Sequence, residues 1–167
     1  CQISRTWYFL HEEEQPGEDE EKQYIALIRK RGEHIPLQQL THEAYFYGMK
    51  FYVDENVLAP RPDTEILVEQ VLEKLPVDQE IEILDLCTGS GCILLSILAN
   101  RKEARGTGTG LSEKALAVAE RNGRELGIKA RWIHSDLFEK IQGQYHAIVS
   151  NPPYIRTEEI SRLQDEV

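Results

Sequence analysis

Two short stretches hold residue types that could do chemistry. One is V-S-N-P-P-Y-I-R, Val149 to Arg156, where Asn151, Pro152, Pro153 and Tyr154 follow a short apolar run from His146 to Ser150. Two prolines after a strand can act simply as a stop, because proline donates nothing to a sheet ladder and pushes the preceding residue towards extended geometry. They can also build a rigid, polar-tipped pocket floor. The other stretch is D-L-C-T-G-S-G, Asp85 to Gly91, between a short apolar run and a nearly all-apolar helix. Glycines there let the backbone approach a ligand, and the helix behind offers unpaired N–H groups. The spacing excludes two common phosphate-binding loops. Leu94 stands where the third glycine of a dinucleotide fingerprint belongs, and no Gly-Lys-Ser/Thr is present.

The elements that must position these stretches alternate. Ile81 to Leu86 reads as a strand, Cys92 to Asn100 as a buried helix, Ser112 to Leu126 as an amphipathic helix closed by Gly127, and Ala130 to His134 as a strand. Ile148 and Val149 belong to a further strand. The segment A-R-G-T-G-T-G-L-S between the two helices must supply another, although its propensity for one is poor. Such alternation implies a doubly wound α/β sheet of parallel strands, which presents ligands at the carboxyl ends of its strands. Upstream, a helix from about Thr64 to Leu75 carries Leu67, Val68, Val71, Leu72 and Leu75 on one side, with Asp63 or Thr64 as its cap. Ala44 to Asp54 holds two aromatic-rich runs about Gly48, the pattern of a β-hairpin. Residues 20 to 31 place Tyr24, Ile25, Leu27 and Ile28 on one helical face, with Gly32 as a stop.

Composition narrows the function. With 41% hydrophobic and 29% charged residues among 167, the chain reads as a globular protein with room for one core and a small appendage. No apolar run approaches the length of a membrane span, and no signal peptide opens the sequence. A net charge of −10 disfavours a grip on nucleic acid, which depends on clustered Lys and Arg. Much of that excess lies in the acidic runs around Pro16-Gly17, a solvated linker and helix start. Cys1, Cys87 and Cys92 form neither a disulfide framework nor a zinc motif, and free thiols suit a reducing cytoplasm. The histidines show no ligand spacing, so no metal is expected. The start at Cys1 and the stop inside a helical pattern at Leu163 to Val167 make both ends look cut.

An acid that closes a strand and precedes Gly-x-Gly resembles the first motif of the Rossmann-like methyltransferases that bind S-adenosylmethionine. N-P-P-Y at the end of a later strand resembles the enzymes that methylate planar, conjugated nitrogens. The runs I-P-L-Q-Q-L-T and F-Y-G-M-K-F-Y-V-D-E-N-V-L-A-P-R-P-D-T-E-I-L-V-E extend the likeness. They resemble the hairpin and linker of the peptide chain release factor glutamine methyltransferases, the PrmC/HemK family, and Arg61-Pro62-Asp63-Thr64-Glu65 is the most specific part. The likeness runs from about residue 20 to the end.

This resemblance implies an α/β, Rossmann-like S-adenosylmethionine-dependent methyltransferase fold, incomplete here. It divides the chain into the end of an N-terminal helical domain (1–43), a β-hairpin and linker (44–62) and a partial methyltransferase domain (63–167). Asp85 would lie near the methionine end of the cofactor, and Cys87, Thr88, Gly89, Ser90 and Gly91 would wrap it. Asp136 and Leu137 would meet the adenine, although a helix cap competes as the role of Asp136. Asn151, counted among the cofactor-binding residues too, and the Pro152 carbonyl would hold the substrate nitrogen next to the cofactor, on backbone stiffened by Pro153, and Tyr154 would wall the substrate amide. The implied reaction is methyl transfer to the side-chain N5 of the glutamine in the Gly-Gly-Gln motif of class 1 release factors. A ribosomal-protein glutamine methyltransferase, an adenine-N6 nucleic-acid methyltransferase and an inactive fragment are the alternatives.

Three departures from the family stand out. Gly110 occupies the place of an acid that holds the ribose hydroxyls, a loss of about 1.5 to 3 kcal/mol for each hydrogen bond to a carboxylate. The sheet of the family continues for three strands beyond N-P-P-Y, so the strand carrying Asn151 is expected to be an edge. The N-terminal domain is represented by little more than its last helix.

Overall fold

The computed structural model describes residues 5–154. In chain order the elements are α1 (Arg5–Leu10), α2 (Glu18–Gly32), α3 (Leu37–Thr41), β1 (Ala44–Phe46), β2 (Met49–Phe51), a 3-10 turn (Pro62–Thr64), α4 (Glu65–Lys74), β3 (Ile81–Leu86), α5 (Cys92–Asn100), β4 (Ala104–Gly110), α6 (Glu113–Leu126), β5 (Arg131–His134) and β6 (Ala147–Ser150). The last four strands form one parallel sheet in the order β5-β4-β3-β6. The chain winds outward from β3 through β4 to β5, then returns to place β6 on the other side of β3. That reversal is the switch point at which open α/β sheets bind ligands.

Burial explains the centre. Every residue of α5 from Cys92 to Leu98 is buried, as are Ile81, Ile83, Leu84 and Leu86 of β3. A helix and a strand that are apolar on all sides are stable only when enclosed, so β3 and α5 form the core. Helix α4 covers it with Val68, Leu67, Val71, Leu72 and Leu75. The expected cap of α4 is not formed. Thr64 has helical dihedrals and no capping hydrogen bond, because the proline-led 3-10 turn at Pro62–Thr64 already starts the winding.

Strand β4 forms where propensity opposes it, and the reason is space. A Cβ on Gly106 would lie 2.7 Å from Leu94 Cδ1, and one on Gly108 would lie 2.4 Å from Trp132 Cζ3. Side chains from α5 and β5 fill the room that larger residues of β4 would need, so tertiary packing overrides propensity. Helix α6 begins on Ser112, whose Oγ accepts the Ala115 N–H at 3.2 Å, and ends on Gly127 in the left-handed region at φ 70°.

Strands β1 and β2 form the expected hairpin, with Tyr47 at φ 50° and Gly48 at φ 73° in the turn. Phe46 and Phe51 enter the core, and Glu65 Oε1 accepts the Tyr47 N–H at 2.8 Å. The first residue of α4 therefore fastens the hairpin turn. Helix α2 is longer than the sequence pattern indicates and runs through Gly32 to a cap at Glu33. Its acidic first turn and basic last turn complement the helix dipole. The helical pattern at 163–167, Cys1 and the residues beyond Tyr154 lie outside the described residues. Within those, β6 is an outer strand of the sheet.

Candidate functional site

The carboxyl ends of the four parallel strands bring the sequence-marked residues side by side. In sheet order they are Asp136 after β5, Gly110 ending β4, Asp85 with its glycine loop on β3, and Asn151 after β6. Register places them: Gly110 faces His134, and Leu86 faces Ser150.

The glycine loop is tightly wound. Cys87 (φ 58°), Gly89 (φ 54°) and Gly91 (φ 79°) all lie in the left-handed region. The Thr88 N–H donates to Thr109 O at 2.8 Å, which pins the loop to β4, and the Gly91 N–H donates back to Thr88 O at 2.8 Å. A Cβ on Gly89 would meet nothing within 4 Å, so this glycine leaves open space above the loop. Gly91 serves packing instead, since its Cβ would come within 3.0 Å of Trp132.

Asp85 lies beneath this loop and is fully buried. The Thr88 hydroxyl donates to its Oδ2 at 2.6 Å, while Oδ1 has no hydrogen-bond partner. Burial pushes the carboxyl up to about 7, against the lowering effect of Thr88 and of the Leu94 backbone N–H at the start of α5. An acid with an orphaned oxygen under an open loop is suited to a cation placed over that loop. Its burial leaves Asp85 sealed beneath the loop, with charge as its means of acting on anything above.

Cys87 is half-buried, and burial raises its thiol pKa, with the Ser150 hydroxyl opposing and the Asp85 and Asp136 carboxylates adding. These influences put Cys87 between β3 and β6, with Asp136 close enough to act on it. Burial pushes the Cys92 thiol up to about 12.

Asp136 and Leu137 are exposed in a turn closed by the Glu139 N–H on Asp136 O at 3.0 Å. A helix cap is not their role, since no helix follows β5 before β6. The neighbouring Ser135 N–H donates to Gly110 O at 3.1 Å and ties this turn to β4. At Gly110 a Cβ would make only ordinary contact, 3.7 Å from Leu116 Cδ2.

Asn151, Pro152, Pro153 and Tyr154 are exposed on the outer side of the rim. Asn151 Nδ2 donates to Thr64 Oγ1 over a long 3.4 Å, which leaves the carboxamide oxygen for an incoming N–H. The Ser150 hydroxyl donates to Leu86 O at 2.8 Å and joins this arm to the glycine loop. Two cavities, of about 500 and 270 Å³, lie at the amino ends of the strands, away from this rim.

Sequence reasoning passed over two contributors. Thr64 bonds Asn151 from a segment marked as a helix start and as part of the family likeness, with no contact to the site expected of it. Asn122, on the buried face of α6, bonds both Tyr52 and Ser90. The signal for Asn122 was present: a carboxamide on the apolar side of an amphipathic helix needs buried partners.

Comparison with known proteins agrees with the geometry. Residues 61–164 match the family described as Methyltransferase small domain, and residues 1–41 match the PrmC N-terminal domain. The release factor glutamine methyltransferase of Thermodesulfovibrio yellowstonii is 47% identical, over 85% of this chain and 52% of its own length. Those of Agrobacterium fabrum and Clostridium acetobutylicum are 37% and 38% identical, over 99% and 98% of this chain and 59% of each relative. The chain thus spans about half to three-fifths of the length of these curated relatives. Among solved structures, the T. thermophilus 16S rRNA N2 G1207 methyltransferase in complex with AdoMet and guanosine superposes with TM-score 0.59 at 24% identity, over 68% of this chain and 32% of that one. The Pyrococcus abyssi tRNA (uracil-54, C5)-methyltransferase in complex with S-adenosyl-L-homocysteine gives 0.55 at 19%, over 66% and 28%. At those identities the structural likeness speaks for the fold alone. With its parallel sheet, glycine loop and matched residues 61–164, the chain belongs to the methyltransferase small domain family, within the PrmC/HemK group.

Proposed function

We propose that the chain forms the cofactor shelf and substrate arm of an S-adenosylmethionine-dependent methyltransferase acting on the side-chain N5 of a glutamine, that of the Gly-Gly-Gln motif in class 1 release factors. The observation that carries this reading is the juxtaposition of the glycine loop on β3 with Asn151 on the adjacent strand β6, at the switch point of the sheet. The names of the curated relatives support it, as does the R-P-D-T-E segment that supplies Thr64.

The residues fit the cofactor. Open space above Gly89 and the buried Asp85 carboxyl, whose Oδ1 has no hydrogen-bond partner, suit a ligand that carries positive charge. Cys87 to Gly91 would wrap it, with Asp136 and Leu137 at its adenine end and Gly110 beside the ribose. When bound, S-adenosylmethionine supplies a methyl group on a cationic sulfur.

The substrate arm answers a chemical difficulty. A carboxamide nitrogen is a poor nucleophile because its lone pair is delocalised into the carbonyl. To react, it must pyramidalise and aim that pair at the methyl carbon from about 3 to 3.5 Å. The Asn151 side-chain oxygen accepts one N–H of the glutamine amide and the Pro152 carbonyl accepts the other. Proline suits that position because its φ is fixed and no N–H competes. Tyr154 packs beside the amide, and Pro153 keeps the arm stiff. No general base is needed before transfer, since the nitrogen sheds its proton to water once it has become cationic. A substrate in translation and the free thiols of Cys87 and Cys92 support a cytoplasmic location.

Tritiated methyl transfer from S-adenosylmethionine to an unmodified release factor tests the reading. Label is expected on the native factor, not on one whose Gly-Gly-Gln glutamine is changed, and Asn151→Ala should remove it while cofactor still binds. Label indifferent to that glutamine, or no label from folded, cofactor-bound protein, would overturn the assignment.

A further inference from the structure

We propose that Asn122 is a positioning residue that locks the plane of the glycine loop to the hairpin, so that the two act as one unit. The inference rests on the reading of Cys87 to Gly91 as the cofactor loop. Asn122 is 1% exposed and engages both of its N–H donors and its acceptor oxygen across two modules. Its Oδ1 accepts the Tyr52 N–H at 2.7 Å; its Nδ2 donates to Tyr52 O at 3.0 Å and to Ser90 O at 2.9 Å. A carboxamide can do this because it holds two donors and an acceptor at fixed angles; a carboxylate lacks the donors and a hydroxyl has only one.

The consequence for the loop follows from peptide planarity. Ser90 C=O and the Gly91 N–H share one plane, so the bond to Ser90 O also aims that N–H, which donates to Thr88 O at 2.8 Å. The adjacent Gly123 makes room for the turn that ends α6: a Cβ there would stand 3.0 Å from Ile128 O.

At its other end the clamp holds Tyr52, the residue that leaves the hairpin, and the Tyr52 ring is fixed as well. The His42 ring stacks on it at 5.3 Å between centroids, and the Arg121 guanidinium lies 3.4 Å from its centre. His42 is the left-handed cap of α3, and its Nδ1 is 3.1 Å from Val53 O. Tyr52 thereby collects contacts from α3, from the hairpin and from α6. Asn122 ties its position to the loop by hydrogen bonds, a directional link beside the apolar contacts that Phe46 and Phe51 make in the core.

Two measurements on the 167-residue chain test this. Amide hydrogen exchange is followed with and without S-adenosylmethionine, alongside a calorimetric titration. Cofactor is expected to slow exchange at Thr88 to Gly91 and also at Tyr52, while α2 is unchanged. Protection of the loop without Tyr52 overturns the inference alone, and no calorimetric binding with no loop protection overturns the cofactor reading and the inference with it. The second measurement uses Asn122→Asp, which keeps an acceptor for the Tyr52 N–H but turns an oxygen towards two carbonyls. Cofactor affinity at pH 8 is expected to fall at least about tenfold, since small misplacements of a binding loop cost this much or more. A variant that melts lower yet binds with unchanged affinity refutes the positioning role; if the variant does not fold, exchange in the native chain decides.

Discussion

Cofactor affinity is expected to fall on acidification, with Asp85 setting where. Its carboxyl ionises at about 7 in the unliganded protein. At pH 8 about nine-tenths of the molecules hold it charged, and at pH 6 about one-tenth. A cation settling within about 4 to 6 Å lowers a carboxyl pKa by about 1 to 3, so binding selects the charged form. With those figures the association constant drops about five- to tenfold between pH 8 and pH 6. Calorimetric titration of the native chain and of Asp85→Asn at pH 6, 7 and 8 isolates the effect, because the amide keeps the shape and cannot ionise. The variant should bind more weakly at pH 8 and lack this part of the pH dependence. Equal pH dependence in the two proteins would refute the reasoning. Stability should move the other way. A carboxyl raised above its ordinary 3.8 opposes folding when charged, so its contribution is most favourable below about 3.8 and is lost as pH rises to about 7. Asp85→Asn should therefore be the more stable protein above pH 7, by up to about 4 kcal/mol, and the advantage should vanish towards pH 4.

Placing an acid at the end of β4 with Gly110→Asp meets no steric obstacle, since its Cβ would lie 3.7 Å from Leu116 Cδ2, and cofactor affinity should rise about tenfold or more. Titration checks it, and unchanged affinity would mean the ribose lies elsewhere. Gly108→Ala should cost about 1 to 3 kcal/mol in thermal melts, because the Trp132 ring stands 2.4 Å from the new Cβ. Gly106→Ala should cost less, since the obstacle at 2.7 Å is the tip of Leu94, a side chain that can rotate.

Much of the fold was legible in the sequence because each element advertised its burial or its ends. The bounds of β3 and α5 match the apolar runs, and Ser112 and Gly127 bracket α6 as a cap and a left-handed stop. Strand β4 was reached by topology rather than by pattern. What makes Gly106 and Gly108 suitable is the bulk of Leu94 and Trp132, and single-segment propensity holds no information about a neighbour. The N-cap of α4 failed for a local reason, since Pro62 begins winding the chain earlier. At the site, the motifs named the loop and the arm, but not what supports them. Thr64 and Asn122 act through bonds to partners far along the chain, 87 residues away for Asn151 and 70 for Tyr52. Nor could sequence tell that Asp85 would be sealed under the loop.

The position of β6 has a consequence for synthesis. Strand β3 pairs with β4 across a single helix, whereas its bonds to β6 wait until β4, α6 and β5 have been made. Contacts between distant segments close late, and a chain leaving the ribosome can organise its amino-terminal part first. Strands β3 to β5 can thus pair, and the glycine loop take shape, before Asn151 exists to stand beside it. On the proposed reading, the shelf for the methyl donor precedes in time the arm for the acceptor, and the two stand together only when the last described strand is in place.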